Sequence, residues 1–190
     1  MSRKITKNDR AIKDKKHIEN VVVVSKELMG RYKYQPDLTS KLDRNECEVT
    51  QERINEIVLW KTNRFAQLDD PTLKAINTIP RESISLDYLL TTKALKLLLN
   101  AKGVGLPMAS TILRFRNPKI YQILDQRVYR FINRGIELKM PTRAEDLIIL
   151  YLDYLEKLKS HCSSFKIEFK DSDRILYQAD KELNSDFPLK

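Results

Sequence analysis

The chain is poor in glycine, with four among 190 residues. A many-stranded, turn-rich β fold draws on far more than that, so a β architecture is disfavoured at once. Cysteine is scarcer still. Cys47 and Cys162 are too few for a disulfide framework, which points to a reducing cytoplasm, and they cannot furnish the four thiolates of an iron–sulfur cluster. His17 and His161 add no zinc-like spacing, so no metal site is expected. No apolar run reaches the roughly 18 residues of a membrane span. The opening residues are polar and basic and lack the apolar stretch of a signal peptide.

What is present is the composition of a globular chain long enough to bury a core: 42% hydrophobic and 32% charged residues. The net charge is +9, a bias that raises affinity and on-rate for polyanions and says nothing about fold. Part of it sits in Ser2–Asn20, with seven Lys/Arg against three acids. Lys102 to Lys119 adds Lys102, Arg114, Arg116 and Lys119 with no acid between them. A solvated surface accounts for such charge equally well.

Along the chain, residues 1–15 read as a flexible basic arm, and residues 16–190 as one all-α, two-lobed helical domain. A first helix is expected near Lys16; β-branched Val21–Val24 also suits a strand, but Ser25–Tyr32 continues as a good helix, so helix is preferred through to Tyr32. Tyr34–Glu46 reads as a loop, with Pro36 and Asp37 as turn residues. A helix follows from Thr50 to Phe65, with Ile54, Ile57, Val58 and Phe65 as its apolar stripe. Asp69-Asp70-Pro71 caps a short helix to Thr78. Leu86–Asn100 has helical apolar spacing, Gly103-Val104-Gly105 interrupts it, and another helix runs from Leu106 to Asn117-Pro118. Asp125 caps a helix through Asn133, ended by Gly135. Thr142 is expected to cap a long helix to about His161, with Leu147, Tyr151, Tyr154, Leu155 and Leu158 facing inward. Asp171 or Ser172 starts the last helix, through Leu183.

The stretch from Leu98 to Leu113 carries the most chemistry. Two glycines flank one valine, so the backbone can turn tightly and approach a partner closely. A helix opens at once, and its unpaired N–H groups make an anion site suited to a DNA phosphate. Val104 is expected to bury between the two helices, and Ala109 to let them pack. An ordinary helix–turn–helix corner reads the same way locally.

Twenty residues beyond the second glycine stands Ile123-Leu124-Asp125-Gln126-Arg127-Val128-Tyr129-Arg130. This hairpin followed by a hydrophobic-hydrophobic-Asp-x-x-Val string resembles the helix-hairpin-helix DNA base-excision glycosylase superfamily (HhH-GPD), nearest in motif to its MutY-type adenine mismatch glycosylases. Glu56-Ile57-Val58-Leu59-Trp60-Lys61-Thr62 also resembles their Glu-Val-Met-Leu-Gln-Gln-Thr helix, and the resemblance spans roughly residues 50–135. It implies a two-lobed helical fold with its hairpin at about 86–116, and double-stranded DNA as partner. It further implies hydrolysis of the glycosidic bond of a flipped-out base. Asp125 would stabilise the oxocarbenium-like sugar or activate water, and Glu56 would protonate the departing base. Trp60 would offer a stacking surface. Lys102, Gly103, Val104, Gly105, Arg114, Arg116, Arg127, Tyr129 and Lys61 would lie along the DNA.

Three departures narrow this expectation. Bifunctional relatives carry a Schiff-base lysine two residues after the second glycine, where this chain has Pro107, so lyase chemistry there is excluded. The iron–sulfur cysteines are missing, and so is the extra recognition domain of the MutY type. No cofactor is expected beyond a monovalent cation that the hairpin turn could hold. Each candidate also has a structural reading: Asp125 as a plain N-cap, Glu56 as a solvated helix residue, Trp60 as a core aromatic. The sequence therefore leaves three functions open: a monofunctional DNA glycosylase-like enzyme, a non-catalytic helix-hairpin-helix DNA-binding protein, and a helical protein–protein adaptor whose Gly-Val-Gly is only a corner. Either DNA-binding form is expected to be a cytoplasmic monomer, nucleoid-associated in a bacterium, with no membrane partner.

Overall fold

The computed structural model describes residues 34–44, 49–63 and 66–189. The basic arm, the helix expected from Lys16, Cys47 and Phe65 lie outside them. The chain divides into two compact units, up to Asn63 and from residue 64 onward. All regular structure among the described residues is helical, with eight α-helices and no strand. None of these helices is long and apolar enough to cross a membrane.

In the first unit, α1 spans Pro36–Asp43 and α2 spans Gln51–Lys61. The segment expected as a loop is thus partly helical. Pro36 stands in the first turn, where its missing N–H is no loss, Asp37 complements the helix dipole, and Leu38 is buried. Thr50 caps α2 by accepting the Arg53 N–H, and the helix ends at Lys61, short of the expected Phe65. Ile54, Ile57 and Val58 are exposed, so the expected stripe is not the packed face. Contact with α1 runs instead through hydrogen bonds. Arg53 donates to the carbonyls of Lys41, Leu42 and Arg44, and Trp60 Nε1 donates to Thr39 Oγ1 at 2.9 Å.

In the second unit, α3 (Asp70–Thr78) and α4 (Tyr88–Asn100) begin on aspartate caps, Asp69 accepting from Thr72 N–H and Asp87 from Leu90 N–H. Then follow α5 (Leu106–Arg116), α6 (Gln126–Ile132), α7 (Ala144–Phe165), a 3-10 turn (Phe169–Asp171) and α8 (Ser172–Leu183). Arg143, not Thr142, precedes α7 and makes no side-chain cap, so Glu145 and Asp146 alone offset the dipole there. The core joins Ala94, Leu95 and Leu98 of α4, Leu106, Ala109 and Leu113 of α5, Val128 of α6, and Tyr151, Tyr154 and Leu158 of α7. The expected inward face of α7 is correct in its buried tyrosines and leucines, and it extends to Ile148 and Cys162. Asn117, legible only as a helix stop, is fully buried. Its amide donates to the carbonyls of Pro80 and Ser83 and fixes the α3–α4 connection against the end of α5.

Candidate active site

The hairpin is built as its residue types dictate. Val104 is buried and its N–H donates to the Ala101 carbonyl at 3.1 Å, which closes the turn after α4. Gly103 has φ +83°, a left-handed conformation that side chains disfavour. Gly105 precedes α5 with φ −90° and ψ 173°, open to any residue. Its carbonyl accepts the Ala109 N–H at 2.9 Å. The N–H groups of Gly105, Leu106 and Met108 find no partner among the described residues, and Pro107 has none to leave unpaired. Lys102, Gly103 and Gly105 are exposed around this N-terminus, which sets unpaired donors beside a cation.

These two glycines should respond differently to alanine. At Gly103 a Cβ would meet nothing within 4 Å, so only the left-handed backbone resists, and Gly103→Ala should cost about 1 kcal/mol in a denaturant melt. At Gly105 the Cβ would make ordinary contact with Pro107 Cδ at 3.8 Å. The reduced unfolded-state entropy and the poorer cap then oppose each other, and the change should stay within about 0.5 kcal/mol.

Asp125 is tied to this hairpin by the segment ahead of it. Leu124 N–H donates to Ser110 Oγ at 3.0 Å, and Ser110 belongs to α5. From α7, Tyr151 OH donates to the Gln122 carbonyl at 2.9 Å, and Tyr154 OH donates to the Ile123 carbonyl at 2.7 Å. Two consecutive peptide groups, 122–123 and 123–124, are thereby fixed to the second hairpin helix and the long helix. Both tyrosine hydroxyls are pushed well above their ordinary value, first by burial. For Tyr154 the charges of Asp173 and then Asp125 add to it.

The Asp125 carboxylate caps α6. Its Oδ1 accepts the N–H of Arg127 at 2.7 Å and of Val128 at 3.3 Å, while Oδ2 accepts no hydrogen bond among the described residues. The cap reading of Asp125 is thus correct, and it leaves one oxygen for other work. Asp125 lines a half-open cavity of about 270 Å³ with Ile123, Asp173, Arg174 and Tyr177.

The remaining candidates fall into different places. Arg114 is buried within the unit: Nη2 donates to the Lys170 carbonyl at 3.0 Å, and Nε lies 3.7 Å from Asp173 Oδ2. Arg116 donates to the carbonyls of Ile79 and Asn77, both at 2.7 Å, and closes the C-terminus of α3. Arg114 is thus buried away from a phosphate, while half-buried Arg116 keeps its guanidinium engaged with two carbonyls. Arg127 reaches Asp180 at 3.3 Å with its guanidinium carbon 5.8 Å from the Tyr177 ring centre, and Tyr129 stacks on Tyr154 at 6.4 Å. Glu56, Trp60 and Lys61 belong to the first unit. Glu56 is ion-paired with Lys41. Trp60 is held edge-on against Tyr34, 5.1 Å between ring centres, and Lys61 is exposed. Among the described residues no cluster of His, Cys, Asp or Glu could hold a metal ion.

Asp173, Tyr177 and Ser110 are the site-forming residues that the motif did not supply. Only the helical spacing of Asp173 and Tyr177, four residues apart on one face, hinted at a shared surface.

Comparison with protein-family models, with curated proteins and with solved structures finds no match to the chain.

Proposed function

We propose that the second unit is a DNA-binding, monofunctional glycosylase-like hydrolase. The observation that carries this reading is the anchoring of Asp125. The residue stands beside a cavity on a segment hydrogen-bonded to the hairpin helix through Ser110, so a duplex held by its phosphate at Gly103–Gly105 is held in register with one carboxylate.

In the reaction, the bond from C1′ to the base nitrogen breaks and the base takes the electron pair. Positive charge builds on the sugar, where ionised Asp125 stabilises it. Water adds to C1′ from the side of Asp125, which accepts the proton the water loses, and the departing base takes up one proton from solvent. Asp125 then returns its proton to solvent, and the net change is addition of one water across the bond. Pro107 supplies no amine, so no covalent sugar–enzyme adduct forms and the strand stays whole.

The non-catalytic alternative rests on Glu56, whose pairing with Lys41 engages the carboxylate that the resemblance casts as acid. Incubation with duplexes carrying a broad set of damaged or mismatched bases, followed by hot alkali, decides between the two. The enzyme reading expects alkali-dependent cleavage at one class of base and no cleavage without alkali. Cleavage of no duplex in the set would leave a binding protein.

A further inference from the structure

The cavity beside Asp125 has a second wall from α8, and that wall has the chemistry of a base-reading pocket. Asp173 is 6% exposed at the start of α8. Its Oδ1 accepts the Arg174 N–H at 2.8 Å, while Oδ2 accepts no hydrogen bond among the described residues and stands 3.7 Å from Arg114 Nε. That Nε is itself buried without a hydrogen-bond partner. Asp173 lines the cavity, so a donor placed there can take up that acceptor. One turn on, Tyr177 presents a ring that is 41% exposed and steadied by Arg127. Asp173 and Asp125 thus repeat one arrangement: one oxygen is tied to backbone N–H and the other is unused, across a space of about 270 Å³. That is just under the lower end, about 300 Å³, of small-molecule sites, which suits one planar heterocycle better than a whole nucleotide.

We propose that this cavity receives the extruded base, with Tyr177 stacking on its face and Asp173 accepting a hydrogen bond from an N–H on its edge. The proposal rests on the reading of this unit as a DNA base hydrolase and assigns base selection to α8. Ion-paired with Arg114, Asp173 offers acceptors only, so it favours bases that turn an amino group to it. A base presenting a carbonyl or a bare ring edge at that point leaves the carboxylate unpaired and is rejected.

The test needs no catalysis. Duplexes are prepared with an uncleavable 2′-fluoroarabino nucleotide bearing adenine, 2-aminopurine or unsubstituted purine, each opposite an abasic site so that extrusion is easy. Affinities are compared with the fully paired duplex. Wild type should bind at least one amino-bearing duplex about tenfold more tightly than the purine duplex. Asp173→Ala should bring that ratio to about one. Tyr177→Ala, at a half-exposed ring whose loss the fold tolerates, should weaken all three about tenfold relative to the paired duplex. If Asp173→Ala fails to fold in a melt, the tyrosine variant decides. Salt-sensitive binding with no preference among the duplexes would overturn the pocket and leave the hairpin reading standing. A preference unchanged in the folded variants would also overturn it. Absence of any DNA binding would remove the hairpin reading and the pocket together.

Discussion

Asp125→Asn should lower the single-turnover rate of base release by about 10²–10⁴-fold while leaving the fold as stable as wild type within about 0.5 kcal/mol. The separation follows from the two oxygens. Asparagine caps a helix about as well as aspartate, so its side-chain oxygen can keep the bonds from the Arg127 and Val128 N–H groups. What disappears is the negative charge that the proposed hydrolysis needs beside the sugar and for the water proton. Asp125→Ala removes the cap as well and should add about 1 kcal/mol of destabilisation. Alkali-cleavage time courses and thermal melts on the same samples separate the two effects. Equal rates in wild type and Asp125→Asn would mean that the residue is a cap and nothing more.

Asp180→Ala should have the largest effect on stability. Asp180 is fully buried on α8 and receives Arg130 Nε at 3.0 Å and Nη2 at 2.6 Å, with Asn184 Nδ2 at 2.8 Å and Arg127 Nη1 at 3.3 Å. Removing it strands the buried Arg130 guanidinium without its carboxylate. Breaking such a pair from one side costs about 3–5 kcal/mol, a fall in Tm on the order of 10 °C. Because this pair fastens α8 to α6, the variant should also loosen Tyr177 against the cavity. Burial pushes the Asp180 carboxyl up, but the hydrogen bonds from Arg130, Asn184 and Arg127 and the charge of Arg130 outweigh it and hold the group below its ordinary value. A depressed folded value gives stability that is complete above the unfolded carboxyl's value, about 3.9, and is lost as pH falls through the folded one. Wild type should therefore lose this part of its stability below about pH 4, and the Asp180→Ala profile should be flatter there. A variant as stable as wild type at neutral pH would show that the cluster contributes no net stability.

Which features were legible in the sequence follows from how far apart the interacting groups lie. Asp69 caps α3, Asp125 caps α6 and Gly103 turns left-handed because each answers to neighbours within a few residues, and such bonds leave a local pattern. Pro36 was ambiguous for the same reason: proline serves a turn and a helix start alike, and burial of Leu38 decides between them. The α2 stripe had helical period, but periodicity says that a face is apolar and not that anything covers it. The second wall of the site was hidden for a different cause. Ser110 meets Leu124, Arg114 meets Asp173 and Arg130 meets Asp180 across 14, 59 and 50 positions, and no spacing rule reaches that far. Arg114 and Arg116 are a basic cluster beside the hairpin in sequence, yet in the fold Arg114 is buried against Asp173 and the Lys170 carbonyl, and half-buried Arg116 is engaged by the carbonyls of Ile79 and Asn77. Lys102 is exposed beside the turn.

If the hairpin backbone itself grips DNA, an affinity titration over salt concentration shows it most directly. Wild type should show log K falling linearly with log salt, each phosphate contact contributing about −0.9 to the slope. Lys102→Ala should make that slope shallower by about one contact. Gly105→Ala keeps the fold and every charge but puts a methyl group where the phosphate approaches, so it should weaken binding about tenfold or more, with little loss of thermal stability. An affinity and slope unchanged by both substitutions would mean that diffuse positive charge, and not the hairpin, holds the duplex.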